Sequence, residues 1–129
     1  MEFFAELNKV SDRLFEERDF QNIALSAHAS AKAKVQTPNL FANLDRNADW
    51  FLLNGNSQDI ANTMWACATL CVKAPKLFHG LDRHSGRFLL EGKPQEIANT
   101  AWACATLGVK VPQLFDGLDQ HSDLSLIHI

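Results

Sequence analysis

From Gln58 to Lys73 the apolar positions fall at helical spacing. Ile60, Ala61, Met64, Trp65, Cys67, Ala68, Cys71 and Val72 share one arc of roughly 160° when drawn at 100° per residue, with no Gly or Pro between them. This stretch is predicted to be a helix. Its opposite arc carries Gln58, Asp59, Asn62, Thr69 and Lys73, with Ala66 among them. "KAPK" ends it, because the residue before Pro75 is pushed out of helical geometry while Pro75 itself suits the first turn of a new helix. A second helix is then predicted as far as Leu90, with Leu77, Phe78, Leu81, Ser85, Phe88 and Leu89 on one face. Gly55 and Gly92 suit the position just past a helix, and Ser57 suits an N-cap.

The same pattern is written again 37 residues on: Gln58 to Gly86 matches Gln95 to Asp123 without a gap, at 21 identities in 29. The offset also reaches backwards. "IANTMWACATLCVKAPKLFHGLDR" lies over "IALSAHASAKAKVQTPNLFANLDR", and Phe3-Phe4 lie under Leu40-Phe41. Pro38, Pro75 and Pro112 share one register. A fixed period of about 20–50 residues signals a repeat architecture. Residues 1–20 then read as the second helix of a partial repeat, 21–57 as repeat 1, 58–94 as repeat 2 and 95–123 as a truncated repeat 3. Two helices of about 15 residues cannot bury their apolar faces alone, whereas stacked hairpins share a continuous core. The predicted fold class is therefore all-α, a right-handed α-solenoid of 37-residue helix-turn-helix repeats. "LSLIHI", Leu124 to Ile129, is what the end of a transposase-based sequencing adapter encodes, and it is set aside from fold reasoning. The natural chain is expected to continue past Asp123, and Met1, which falls inside a second helix, is expected to be an internal start.

Composition narrows the partners. At 129 residues and 47% apolar, the chain can bury one domain's core. A net charge of −3 and a pI near 5.9 argue against a strongly basic nucleic-acid or membrane binder, while leaving room for a local basic stripe. Three cysteines without a secreted-scaffold spacing read as free thiols in a reducing compartment. Cys67, Cys71 and Cys104 lie on the core arc as small buried hydrophobes, and no paired Cys or His spacing suggests zinc or another metal. No run is long enough to span a membrane, and nothing resembles a signal peptide.

Several residues could carry chemistry. Trp65 and Trp102 sit at the edge of the apolar arc, where packing between repeats explains them, though a shelf for a nucleobase is the sharper reading. His28 stands at the equivalent place in the first unit. His84 and His121 recur with the period and read as structural. No nucleophile–base pair, carboxylate pair or phosphate-cradling loop accompanies them, so no enzyme, cofactor or small-molecule substrate is predicted. Gly80 and Gly117 sit in mid-helix, where close helix approach would explain them, although Asn43 holds the equivalent place in the first unit. The polar arc is the most informative feature. Gln58, Asn62, Thr69 and Lys73 recur as Gln95, Asn99, Thr106 and Lys110, with Lys32 as a further basic group. Stacked units would align these into rows, where Asn meets a base edge or a peptide and Lys a phosphate. An idle solvated face kept by recent duplication is the plainer alternative.

The segment "PQEIANTAWACATLGVKVPQLFDGL", Pro94 to Leu118, resembles the octotricopeptide and heptatricopeptide type of helical repeat. Such repeats occur in RAP-domain and FAST-kinase-like organelle RNA-binding proteins. The matching pattern is "P-Q-x-I/L-A-N-T-x-W-A-x-A-T-L-G" followed by a proline and "LF"; it stands at Pro94 to Gly108 and, slightly altered, at Ser57 to Cys71. The resemblance spans Phe3 to Asp123 and implies an RNA-binding superhelix in mitochondrial or plastid RNA processing, stability or translation. It adds Thr63 and Thr100 to Asn62, Thr69, Asn99 and Thr106 as implied RNA contacts. Cys71 departs from the pattern's glycine, the first unit lacks the Asn-Thr pair, and no RAP domain lies in these residues. The expected partner is single-stranded RNA, with one base per repeat as other helical-repeat readers take it. The alternative is an extended peptide held by the asparagine row.

Overall fold

The computed structural model of the chain describes residues 2–120. The expectations for Met1, His121, the end of the last unit and Leu124–Ile129 lie outside the described residues. Within them the protein is all-helical, with ten helices: α1 (Glu2–Lys9), α2 (Ser11–Glu16), α3 (Phe20–Ala33), α4 (Pro38–Arg46), α5 (Ala48–Asn54), α6 (Ser57–Leu70), α7 (Pro75–Arg83), α8 (Ser85–Glu91), α9 (Pro94–Leu107) and α10 (Pro112–Gln120). The boundaries recur at the sequence offset: α3, α6 and α9 begin at 20, 57 and 94, and α4, α7 and α10 at 38, 75 and 112.

The three long helices form a layer in which α6 packs between α3 and α9. That position explains the composition of α6. Ile60, Ala61, Met64, Ala66, Cys67 and Ala68 are all buried, because a helix with neighbours on both flanks has little surface left for water. Ala66, which the periodicity sets on the polar arc, is wholly buried as well. The short helices form a second layer, in which α4 meets α7 and α5 meets α7. The predicted inward face of the second segment holds: Leu77, Phe78, Leu81, Ser85, Phe88 and Leu89 are buried.

That second segment is not one helix. It divides at His84 (φ −100°, ψ 18°), as its counterpart divides at Asn47 (φ −107°, ψ 30°). The i→i−4 ladder runs through the kink, with the Phe88 N–H donating to His84 O at 3.2 Å and the Phe51 N–H to Asn47 O at 3.0 Å. Apolar periodicity does not register such a bend, because Phe88 and Leu89 stay on the buried side of it.

Helix ends follow local chemistry, with corrections. The N-cap of α6 is Asn56, not Ser57; the Asp59 N–H donates to Asn56 Oδ1 at 2.7 Å and the Asn56 N–H to Asp59 Oδ2 at 3.3 Å. Ser57 instead donates from Oγ to Glu96 Oε1 at 2.7 Å, tying α6 to α9. Gly55 and Gly92 close their helices in extended backbone. The left-handed caps fall elsewhere, at Lys34 (φ 57°), Cys71 (φ 57°) and Gly108 (φ 67°), each ending a long helix. Cys71 is therefore exposed beyond the helix, and only Cys67 and Cys104 are the buried hydrophobes expected. Gly80 and Gly117 do mark close approach, since a Cβ on either would collide with Cδ1 of Leu52 or Leu89. In the first unit Asn43 uses the same place to donate from Nδ2 to Ser11 Oγ at 3.2 Å and Asp12 Oδ1 at 2.6 Å.

Candidate RNA-binding face

Packing between α3 and α9 leaves α6 one open stripe, and α9 carries the same residue types at the same places. On α6 it runs Gln58, Asn62, Trp65, Thr69, and on α9 Gln95, Asn99, Trp102, Thr106, at steps of four, three and four residues. On α3 the same places hold Gln21, Leu25, His28 and Lys32. Gln58 is exposed, while Asn62, Trp65 and Thr69 are half-buried by the neighbouring helices; the four α9 residues are all exposed. Since α3 and α9 both pack against α6, equivalent places form a Gln set, a Leu25–Asn62–Asn99 set, a His28–Trp65–Trp102 set and a Lys32–Thr69–Thr106 set, of which His28 and Trp65 are in ring contact. Six of the residues expected on this face, Gln58, Asn62, Thr69, Gln95, Asn99 and Thr106, are at least partly open to solvent at these equivalent places.

The remaining expected residues need correction. Thr63 and Thr100, drawn from the resemblance, are 0% exposed and lie in the interior rather than on the open stripe. Neither Oγ1 has a hydrogen-bond partner, and neither can touch a ligand on the open stripe. Lys73 and Lys110 are exposed, but they stand in the loops after the left-handed caps rather than on the helices. Lys32 is not in their register; it shares the row of Thr69 and Thr106 on α3. Their counterpart in the first unit is Gln36, whose Nε2 donates to Leu70 O at 3.2 Å and so fastens that loop to the end of α6.

Trp65 and Trp102 stand within the polar stripe rather than at its border. Trp65 packs against the core and also stacks on His28, ring centroids 4.9 Å apart and inclined by 34°. Trp102 leaves 49% of its surface open. The signal was present in the spacing of 58, 62, 65 and 69, which puts Trp at the centre of the polar stripe rather than at its border. Burial, and then the positive charge of Lys32, hold the His28 imidazolium pKa below its ordinary value, so the row is a neutral aromatic surface at neutral pH. At the foot of α6, burial pushes the Asp59 carboxyl above the usual range, against the hydrogen bond from Asn56.

A second set of residues missed in the sequence holds the rows in register. Asp45 Oδ1 accepts the N–H groups of Lys76 and Leu77, Asp82 Oδ1 accepts that of Leu114 at 2.9 Å, and Asn8 Oδ1 accepts that of Asn39 at 2.8 Å. These three acceptors are 37 residues apart, and each caps the proline-led helix of the following unit. A cavity of about 540 Å³ lies in that second layer beside Trp50, Lys76, His79 and Arg83, away from the stripe. There Arg83 pairs with Asp49, and Asp45 is the cap just described. Among the described residues no group of three His, Cys, Asp or Glu side chains could hold a metal ion, and no helix is long and apolar enough to cross a membrane.

Comparison of the chain with protein-family models, with curated proteins and with solved structures returns no match.

Proposed function

We propose that the chain is a right-handed α-solenoid of 37-residue repeats of the octotricopeptide type, binding single-stranded RNA along the open stripe of its long helices. The observation that carries the reading is the coincidence on one stripe of three ligand-competent rows: Asn62 with Asn99, Trp65 with Trp102, and Thr69 with Thr106. An Asn amide offers both donors and an acceptor to a base edge. An indole offers a stacking surface indifferent to base identity, worth about 1–3 kcal/mol per base. Lys32 stands at the place of Thr69 and Thr106 on α3, and Lys73 and Lys110 are exposed in the loops just beyond α6 and α9, where a Lys can meet a phosphate. In this reading the protein binds rather than catalyses, in RNA processing, stability or translation within a mitochondrion or plastid.

The test is a titration of the full chain with fluorescently labelled uridine-rich and adenine-rich RNA at low salt. Binding should weaken steeply as salt rises, since the contacts to phosphate release counterions. Asn62→Ala with Asn99→Ala should lower affinity at least tenfold, and Trp102→Ala comparably. Thr100→Val should leave affinity unchanged, its side chain being buried. Absence of binding to either RNA at low salt defeats the proposal. The net charge of −3 is the observation that favours the competing reading, an extended peptide along the asparagine row. Capture of a peptide that survives salt sufficient to strip RNA would favour it.

A further inference from the structure

Residues 58–86 and 95–123 are identical at 21 of 29 positions, and three of the eight differences fall together. Lys76, His79 and Arg83 of α7 give way in the later unit to Gln113, Asp116 and Gln120. No other basic residue differs between the two stretches. Steps of three and four residues put Lys76, His79 and Arg83 on one face of α7, and all three are exposed.

That basic face lines the cavity of about 540 Å³ between α7 and the kink where α4 meets α5, with Arg46 and Trp50 on the other side. The two carboxylates at its wall are already engaged. Asp45 accepts the backbone N–H groups of Lys76 and Leu77, and Asp49 pairs with Arg83 and lies 3.8 Å from His84 Nε2. Arg46 donates to the neutral side chain of Asn43. Neither Arg46 nor Lys76 makes an ion pair among the described residues. Two positive charges thus border the cavity with no carboxylate of their own. The cleft at the preceding junction, of about 400 Å³, has the opposite balance, with Asp12 and Glu16 against Arg46 alone.

We infer that the cavity between α4–α5 and α7 is a binding site for a small phosphate, inorganic or a monoester. Two uncompensated cations match a dianion better than they match a single carboxylate. The Arg46 guanidinium can donate as a fork, the Lys76 ammonium acts as a point charge, and His79 adds a ring N–H. The volume falls within the roughly 300–1,000 Å³ of small-ligand sites, and half-buried Trp50 offers the carbon skeleton of an ester an apolar wall. A nucleic-acid strand running along the array would call for the same charges at each junction, whereas these occur at one. The site shares no residue with the open stripe, so it does not rest on the RNA-binding reading.

The test is isothermal titration calorimetry of the full chain at low salt with inorganic phosphate, ribose 5-phosphate, adenosine 5′-monophosphate and adenosine. Saturable binding of one molecule per chain is expected from at least one phosphate and none from adenosine; the tightest binder identifies the source of the phosphate. Lys76→Gln combined with His79→Asp uses side chains that the fold already carries at Gln113 and Asp116. It should weaken binding at least tenfold while leaving the helical spectrum and melting unchanged, and Arg46→Gln should weaken it similarly. Lys34→Gln, at an exposed lysine outside the cavity, should have no effect. Absence of binding by all three phosphates overturns the inference. So does binding indifferent to the cavity variants, or weakened as much by Lys34→Gln, which would mean diffuse attraction. Displacement of bound phosphate by the uridine-rich RNA also overturns it, because the cavity would then belong to a polynucleotide track. Phosphate binding in a chain that binds no RNA would defeat the function proposed above and leave this inference standing.

Discussion

The carboxylate of Asp45 accepts hydrogen bonds from the backbone of Lys76, at 2.8 Å, and from that of Leu77, at 3.1 Å. One acidic side chain thus caps a helix that begins a full unit later, behind Pro75. Two otherwise unpaired N–H groups of α7 are satisfied, and the helix dipole favours the negative charge. Asp45→Ala should cost about 1–2 kcal/mol of stability, and Asp45→Asn less, because the amide oxygen still accepts a hydrogen bond but without charge. Urea unfolding followed by circular dichroism measures both. Equal losses for the two variants would show that a neutral acceptor contributes nothing there and that the charge carries the cap.

Leu52 and Gly80 are matched in the same way. A Cβ added to Gly80 would stand 2.5 Å from Leu52 Cδ1, so the two helices approach as closely as they do only because Gly80 has no side chain. Gly80→Ala sets overpacking of about 1–3 kcal/mol against roughly 1 kcal/mol gained in helix propensity. A net loss of about 1 kcal/mol is expected, since the end of Leu52 can swing partly aside. In a Leu52→Ala background the clash is gone, and the same change should become stabilising. A double-mutant cycle in urea reads the coupling directly, and additivity would refute it.

Both relationships are periodic in the sequence, yet only one was visible there. The glycine in mid-helix advertised itself by its cost. The aspartate did not, because "LDR" reads as an ordinary polar helix end until its partner's backbone is seen beside it. The buried faces were legible because burial follows the helical period: Leu77, Phe78 and Leu81 fell where expected. The kink at His84 was not, because a bend that keeps Phe88 and Leu89 inward leaves that period intact. For the candidate site, the Asn and Thr rows were legible from repetition. The burial of Thr63 and Thr100 was hidden, because it depends on which flank the neighbouring helix occupies, and a resemblance in sequence carries no such direction.

Cys71 separates backbone from core chemistry. It ends α6 with a left-handed φ of 57°, where Gly108 ends α9 with 67°. A β-carbon in that conformation costs about 1–2 kcal/mol, so Cys71→Gly should raise stability by about 1 kcal/mol. The same geometry exposes the thiol. Burial, followed by the charge of Asp82, raises the Cys104 pKa to about 12, and burial with Asp45 pushes Cys67 higher still. A thiol reagent at neutral pH should therefore titrate one of the three cysteines in the folded chain and all three in denaturant. Rapid reaction of two or more in native buffer would contradict the packing of α6 and α9.

His28 gives the protein a pH dependence whose sign is set by its neighbours. The ring lies on Trp65 and shares its end of α3 with Lys32. A cation over an indole is favourable in isolation, which would raise the pKa. Desolvation of the imidazolium and repulsion from Lys32 outweigh that, and the pKa falls below its ordinary 6.5. The folded chain then binds a proton at His28 less readily than the unfolded chain does. The stability this residue contributes is complete above pH 6.5 and is lost as pH falls through the lowered folded value. Urea midpoints of the wild type and of His28→Phe, measured between about pH 7.5 and about pH 5, isolate the effect from the other titrating groups. The wild type should lose stability more steeply than the variant below pH 6.5, with the two curves parallel above it. A steeper loss in the variant would mean that the protonated ring is held by Trp65 after all, and that the aromatic row carries positive charge in mild acid.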